Sequence, residues 1–292
     1  MGEQRYRLMD VFTREQFQGN QLAVFPDGRL LDAGTMQRIA RELNLPETTF
    51  VFPASMAGCI ADVRIFTPQR ELVFAGHPTI GTAAVLINEG RIPASALEFQ
   101  LQEKIGPVAV RVGREDGADL IWLRTPPIQW QRTFDPSLCA GVLGLEVADL
   151  LDEDVVPQRL SAGNPTLFVA LRDPGCVDRA WLGSDGMRRL AASESEPFCV
   201  FVFAPTAGGA YSRMFAPDYG IQEDPATGSA TGPLAAYMMK YKLVSGTPGS
   251  RFVSEQGTKM LRRSILHVQV QGDGAVDVGG YATPVGEGRI RF

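Results

Sequence analysis

The stretch that decides the fold is residues 77–83, HPTIGTA, because it returns at residues 224–230 as DPATGSA. The copies start at positions 77 and 224, and their separation of 147 is close to half of the 292-residue chain. An aromatic residue and a proline precede each copy, as FTP at residues 66–68 and FAP at residues 215–217. A repeat over this distance predicts a duplicated fold whose matching elements lie across a pseudo-twofold axis.

A second pair of segments supports the duplication: FQGN at residues 17–20 and SAGN at residues 161–164 lie 144 positions apart. Each copy of the HPTIGTA motif leads through a turn of small residues into a predicted apolar helix, at residues 79–89 and 229–241. The start of a helix carries unpaired N–H groups and the positive end of the helix dipole. Two such starts facing one cleft would therefore bind a small anion.

The remaining segments predict many strands and few helices. Strands do not alternate regularly with helices, and no GxGxxG loop follows a strand, which disfavours a parallel Rossmann sheet. The predicted fold class is α+β, with two pseudo-repeated domains, each a barrel-like, mostly antiparallel sheet wrapped around a central helix. Because two prolines at 126 and 127 exclude regular structure, we place the domains at residues 1–125, joined by a terminal strand at 281–292, and at residues 126–280.

Local signals refine this outline. Asp32 and Asn44 are predicted to cap a helix that runs to residue 43. A strand is predicted at residues 72–74 and a helix at residues 181–192.

Composition excludes several classes of function. The net charge is −5, with no run of Lys or Arg, which argues against a nucleic-acid partner. No window of about 18 uncharged apolar residues predicts a membrane span, and no signal peptide is recognisable. The four cysteines are dispersed and read as buried free thiols, which is typical of a cytoplasmic protein. With only two histidines and no metal-ligand spacing, no metal is expected.

Glu47 is the first candidate for acid–base chemistry. Apolar neighbours, Leu45, Pro46, Phe50 and Phe52, would partly desolvate its carboxyl and raise its pKa toward neutrality. A carboxyl tuned in this way can both take and return a proton. The alternative from position alone is an exposed loop carboxylate.

His77 and Asp224 open the two copies of the repeated motif. A helix start disfavours the imidazolium, so His77 would act as a neutral donor or acceptor; the alternative is a histidine satisfied in a turn. Asp224, its partner in the repeat, is an acid–base candidate or a helix cap. Ser229 could cap the same helix or bind a carboxylate. Gly76 and Gly228 would present backbone N–H groups to an anion, or only permit tight turns.

Two further side chains are expected to be structural. Glu223 is expected to be exposed, and His267 lies in an alternating strand, where a structural role is the simpler interpretation.

Together, these motifs resemble the phenazine-biosynthesis isomerase family (PhzF-like proteins), within the diaminopimelate-epimerase superfamily. The resemblance follows the whole chain in order, and it is carried by the segments DVFT at 10–13, GN at 19–20, NLPETTF at 44–50, FTP at 66–68 with Glu71, GHPT at 76–79, SAGNP at 161–165, EDPATGS at 223–229 and EQG at 255–257.

The resemblance implies an active site between two similar domains and proton transfer at carbon without a cofactor. It implies that Glu47 is the acid/base, and that His77, Asp224 and Ser229 are further site residues. It also implies a homodimer that acts on a small anionic metabolite.

The chain departs from the epimerases and racemases of that superfamily, which use two thiols, one at each helix start. Here no cysteine lies at residues 60–138 or 200–292, so a thiolate base is excluded at either helix start. One carboxyl favours an isomerase that moves a proton within one substrate. The alternatives are a non-catalytic protein that binds small anions, and a related lyase or hydratase.

Overall fold

A computed structural model describes residues 2–93 and 95–292. The chain divides into two compact units. The first unit comprises the chain up to Arg124 together with Gly279–Phe292, and the second comprises Thr125–Val278. Among the described residues, no helix combines the length and apolar character needed to cross a bilayer.

The elements of the first unit, up to its return at the end of the chain, are eight strands and two helices. They are β1 Glu3–Val11, β2 Asn20–Phe25, α1 Ala33–Leu43, β3 Glu47–Pro53, β4 Cys59–Phe66, β5 Glu71–Leu72, α2 Gly76–Asn88, β6 Glu98–Glu103, β7 Gly106–Glu115 and β8 Ala118–Arg124.

The second unit follows the same plan but has four helices, three of them short. Its elements are β9 Gln129–Thr133, α3 Pro136–Val142, β10 Gln158–Ser161, β11 Pro165–Ala170, α4 Pro174–Arg179, α5 Ser184–Leu190, β12 Cys199–Thr206, β13 Gly209–Ala216, β14 Ile221–Asp224, α6 Gly228–Lys240, β15 Arg251–Gln256, β16 Ser264–Val270 and β17 Val276–Gly280. The last strand, β18 (Ala282–Arg291), returns to the first unit and pairs antiparallel with β1.

Strand pairing shows the duplication directly. In the first unit β2 pairs with β3, and β4 with β6, in parallel. In the second unit β11 pairs with β12, and β13 with β15, also in parallel. The other strand pairs described within each unit are antiparallel. The predicted α+β class with mostly antiparallel sheets is confirmed.

Each unit holds one helix of 13 residues among its strands, α2 in the first and α6 in the second. In α2 the residues from Gly76 to Leu86 are all buried. A helix that is buried on every side belongs to a core rather than to a surface. Pro233 lies inside α6 without ending it.

The register of the repeat differs from the one that the motif predicts. The two helices begin at Gly76 and Gly228 and end 12 residues later, so equivalent positions are 152 apart rather than 147. The reason is that HPT forms the first turn of α2, whereas the matching letters DPAT comprise the last residue of β14 and the turn before α6. His77 therefore corresponds to Ser229, and the prediction that Asp224 is its partner is wrong.

Several local predictions can be compared with the structure. Asp32 caps α1 by accepting a hydrogen bond from the Thr35 N–H, and Asn44 closes that helix in the left-handed conformation, so both predicted caps are confirmed. The strand predicted at 72–74 is only the two-residue β5. The helix predicted at 181–192 is shorter, and its regular part is α5.

Candidate active site

The first unit brings Glu47 and His77 together. Glu47 is the first residue of β3, and its register partner on β2 is Leu22. His77 is the second residue of α2. The His77 Nε2 atom lies 3.2 Å from Glu47 Oε2, and the two side chains are 7% and 14% exposed. Glu47 is therefore not the exposed loop carboxylate that its position alone allowed.

Burial decides the charge of His77. It lowers the pKa of the imidazole to about 3, against a weaker opposing effect of a hydrogen bond to the backbone of Gln21. The ring is therefore neutral at neutral pH, and its close approach to Glu47 is not an ion pair. The position of His77 at a helix start acts in the same direction.

The hydrogen bonds of His77 assign its tautomer. A bond that favours the charged ring must be donated by the ring, so the acceptor is the Gln21 carbonyl. Nε2 makes no hydrogen bond of normal geometry, so the donor is Nδ1–H. The Nε2 lone pair then faces the Glu47 carboxyl, and it can accept a proton from that group.

The starts of both central helices lack a side-chain cap. Ala75 precedes α2 and has no capping side chain, and Thr227 precedes α6 without capping it. Gly76 and Gly228 are the first helical residues. Because these are also the starts predicted to bind an anion, their uncapped first turns are consistent with that prediction.

In the second unit, Asp224 is the last residue of β14 and is buried. Its Oδ2 accepts a hydrogen bond of 2.5 Å from Thr227 Oγ1. The helix cap position belongs to Thr227, so the interpretation of Asp224 as a helix cap is wrong.

Gln256 holds this turn, and its role was not predicted from the sequence. Its Nε2 donates to the Asp224 carbonyl at 2.7 Å and to Thr227 Oγ1 at 3.0 Å. Its Oε1 accepts from the Thr227 N–H at 3.1 Å. Gln256 lies in the EQG segment at 255–257, which contributes to the family resemblance. The sequence does not show that its side chain binds the turn before α6, because that contact depends on the strand register.

Ser229 is the second residue of α6 and is half-buried. Asn164 Nδ2 donates to Ser229 Oγ at 3.3 Å. Asn164 belongs to the SAGN motif, so the second repeated segment meets the helix start of its own unit. The structure thus brings together Ser229, Gly228 and Asn164 in one unit, and Glu47, His77 and Gly76 in the other.

A matching arginine–glutamate pair holds the strand before each central helix. In the first unit Arg64 binds Glu71 with two hydrogen bonds of 2.7 and 2.9 Å. In the second, Arg213 binds Glu223 with two of 2.9 and 2.8 Å. The expectation that Glu223 is exposed is wrong, because its side chain is only 10% exposed and pairs with a buried arginine.

Glu103 is a further buried carboxyl, and it was not predicted from the sequence. It is 1% exposed, and its Oε1 lies 2.5 Å from Thr79 Oγ1 in the first turn of α2. Burial raises the pKa of Glu103 to about 8. The alternation of buried and exposed residues along β6 was a possible signal in the sequence.

The cysteines are all free, and Cys139, Cys176 and Cys199 are buried as predicted, whereas Cys59 is half-buried. Within residues 2–93 and 95–292, no three His, Cys, Asp or Glu side chains are grouped so that they could hold a metal ion.

Two units of this topology, each with a buried helix whose start is uncapped, define an epimerase-like fold. Residues 9–288 match the family described as phenazine biosynthesis-like protein, and the chain belongs to that family. The resemblance seen in the sequence motifs is therefore confirmed.

Comparison with a named enzyme agrees with this assignment. The chain is 34% identical over 291 residues to the trans-2,3-dihydro-3-hydroxyanthranilate isomerase of Pseudomonas aeruginosa, with 98% of each chain covered. The prediction that the protein is an isomerase is confirmed.

Solved structures show the same fold. A Bacillus anthracis phenazine biosynthesis protein of the PhzF family matches with a TM-score of 0.89 and 24% identity over 100% of both chains. A hydroxyproline epimerase from Agrobacterium vitis matches with a TM-score of 0.68 and 14% identity, covering 99% of this chain and 92% of its own. The epimerase-like fold predicted from the sequence is confirmed.

Proposed function

We propose that this isomerase moves a proton between two carbon atoms of one small carboxylate-bearing metabolite, with Glu47 as the acid/base and without a cofactor. The observation that carries the proposal is the 3.2 Å approach of Glu47 to a buried, neutral His77. The named relative, an isomerase of a dihydro-hydroxyanthranilate, supports a cyclic, unsaturated carboxylate as the substrate class.

The reaction conserves atoms and charge over one cycle. The Glu47 carboxylate takes a proton from a carbon next to a double bond, and the electron pair spreads into the substrate π system. The protonated Glu47 then returns a proton to another carbon of that system, and the double bond shifts. No electrons leave the substrate, so isomerisation needs no redox partner.

His77 supports this cycle through its tautomer. Because its Nδ1–H is engaged by the Gln21 carbonyl, Nε2 offers a lone pair to Glu47. A protonated Glu47 can donate to that lone pair and is held in place between the two transfer steps. This supports a positioning role for His77 beside the acid/base.

The second unit supplies the rest of the proposed site. We take from the family resemblance that the two units close on one substrate. The uncapped helix starts at Gly76 and Gly228, with the Ser229 hydroxyl, would bind its carboxylate. Asp224, held by Thr227, would orient a heteroatom of the substrate.

Solvent isotope exchange tests the proposal. In D₂O, the protein with trans-2,3-dihydro-3-hydroxyanthranilate or a related unsaturated acid should give an isomerised product that carries deuterium at the receiving carbon. Glu47→Gln should abolish turnover and exchange, while ligand affinity stays within about tenfold, or about 1.4 kcal/mol. Glu42→Gln, which changes an exposed carboxylate of α1, is the matched control and should stay active.

Two results would contradict the proposal. Substantial turnover by pure Glu47→Gln protein would remove Glu47 as the acid/base. Tight binding of the acid by the unaltered protein, with neither product nor deuterium exchange, would favour the non-catalytic anion-binding function. A product that has lost or gained water would instead indicate a lyase or hydratase.

A further inference from the structure

Glu103 and Thr79 share a hydrogen bond whose direction follows from counting protons. Thr79 Oγ1 lies 2.7 Å from the Ala75 carbonyl and 2.5 Å from Glu103 Oε1. The hydroxyl has one proton, and a carbonyl can only accept. If Thr79 donates to Ala75, the proton of the shorter bond must come from Glu103, which is then a carboxylic acid.

The other oxygen of Glu103 is consistent with a neutral acid. Oε2 is buried and makes no hydrogen bond among the described residues. A buried carboxylate with one unsatisfied oxygen costs far more free energy than a neutral carboxyl in the same place. Geometry and burial therefore both favour the protonated form.

The duplicated half has an amide at the place of Glu103. Gln256 is the last residue of β15, as Glu103 is of β6, and each of these strands lies parallel to the corresponding partner strand. Gln256 donates from Nε2 to Thr227 Oγ1 and fastens the start of α6. The two hydroxyls are not equivalent, because at the offset of 152 Thr79 corresponds to Thr231, whereas Thr227 corresponds to Ala75. A protonated carboxyl, like an amide, has one donor group and one carbonyl oxygen, so neutral Glu103 and Gln256 can each donate to a hydroxyl at the start of the central helix of their unit.

Charged groups on the surrounding elements have other partners. His77, the titratable residue of α2, has a neutral ring that donates to the Gln21 carbonyl. Arg64 of β4 and Lys104, which follows β6, both contact Glu71. Asp62 of β4 accepts from the Ser55 N–H.

The neighbouring strand β7 carries three charged residues, Arg111, Arg114 and Glu115. Arg111 lies over the Trp122 ring, and Arg114 pairs with Asp119. The residue opposite Glu103 on β7 is Gly106, which carries no charge.

We propose that Glu103 is a positioning residue for the Glu47–His77 pair and that it acts as a proton donor to Thr79, fixing the first turn of the helix that carries His77. The inference rests on the proposed function for its activity readout. When Glu103 loses its proton, Oε1 can only accept, so the Thr79 hydroxyl must turn toward it and release the Ala75 carbonyl. The start of α2, which carries His77, then loses the hydrogen bond between the Thr79 hydroxyl and the Ala75 carbonyl. Because burial raises the pKa of Glu103 to about 8, this change occurs in mildly alkaline solution.

The pH dependence of kcat/KM between pH 6 and pH 10 tests the proposal in Glu103→Gln, which keeps the donor and cannot ionise. The unaltered enzyme should lose activity above pH 8, approaching about tenfold per pH unit. Glu103→Gln should keep activity at pH 7 within about threefold and lack this decline. The control Glu98→Gln, an exposed carboxylate at the start of the same strand, should follow the unaltered enzyme. A decline in Glu103→Gln identical to that of the unaltered enzyme would overturn the proposal.

A readout without turnover separates this inference from the proposed function. Infrared difference spectra between pH 6.5 and pH 9.5 should show loss of a protonated carboxyl band in the unaltered protein and in Glu98→Gln, but not in Glu103→Gln. In ¹⁵N-labelled protein the His77 ring resonances should shift over the same pH range only when Glu103 is present. Two results would overturn the inference whether or not the protein turns over a substrate. One is that the unaltered protein shows no protonated carboxyl band at pH 6.5, and the other is that Glu103→Gln loses the same band between pH 6.5 and pH 9.5.

Discussion

His77 should make the protein sensitive to acid, by an amount that follows from its burial. The pKa of the imidazole is about 3 in the folded protein, against 6.5 for an unperturbed histidine. Below pH 6.5 the imidazole is protonated in the unfolded chain but stays neutral in the folded protein. The contribution of neutral His77 to the free energy of unfolding is therefore complete above pH 6.5 and is lost as the pH falls toward 3. At pH 5 the loss is about 2 kcal/mol, because each unit between the pH and 6.5 contributes about 1.4 kcal/mol.

The assay compares the free energy of unfolding in urea at pH 7 and pH 5 for the unaltered protein, His77→Gln and His267→Gln. The chain has two histidines, and His267 lies half-buried in β16, so it is a matched control. Because carboxylate titration is common to all three proteins, it cancels in the difference between the two pH values. His77→Gln should lose about 2 kcal/mol less than the other two proteins between pH 7 and pH 5.

Two outcomes would refute this reasoning. Equal losses in His77→Gln and the unaltered protein would show that the ring is not held neutral by burial. A larger loss in His77→Gln would show that protonated His77 stabilises the fold, which requires an ion pair with Glu47 in place of the neutral contact inferred here.

Two further predictions concern the buried ion pair and the thiols. Glu223→Gln should destabilise the protein by about 3 kcal/mol, because it leaves the buried Arg213 without its carboxylate. Glu71→Gln should cost less, because the Arg64 side chain is 33% exposed and water can solvate it; urea denaturation of both variants checks this order. Activity should survive EDTA and native alkylation with iodoacetamide, which should reach only the half-buried Cys59. Circular dichroism must show that the alkylated protein is folded. Loss of activity by folded, alkylated enzyme would contradict the single-carboxyl mechanism.

Much of the fold could be predicted because its signals are local. The caps at Asp32 and Asn44 follow from side chains that bind nearby backbone, and the apolar central helices follow from composition over one segment. The register of the duplication could not be predicted in this way. The letters of HPTIGTA and DPATGSA align well, but a turn tolerates extra residues that a helix does not, so sequence identity placed Asp224 opposite His77.

The candidate site shows the same division. Glu47 and His77 were identified from their own neighbours, and the structure brings their side chains into contact. Glu103 and Gln256 were not identified, because each acts on a helix start that lies well over 20 positions earlier in the chain. Such contacts depend on which strands lie parallel to each other. Strand order is a property of the tertiary structure, so local sequence signals do not reveal these contacts.

The duplication explains how one scaffold carries two kinds of polar group at equivalent places. The second position of the central helix is an imidazole in one unit and a hydroxyl in the other, at His77 and Ser229. At the end of the following parallel strand, Glu103 corresponds to Gln256. The unit whose helix start carries His77 is also the unit in which the residue at the end of the parallel strand, Glu103, can ionise. The unit whose helix start carries Ser229 is supported by an amide whose donor does not change with pH. If the first unit performs proton transfer, then only its helix start has a support that responds to pH. The helix start at Gly228 and the Ser229 hydroxyl would still hold the substrate carboxylate, so an alkaline loss of kcat should exceed any loss of affinity for a bound carboxylate.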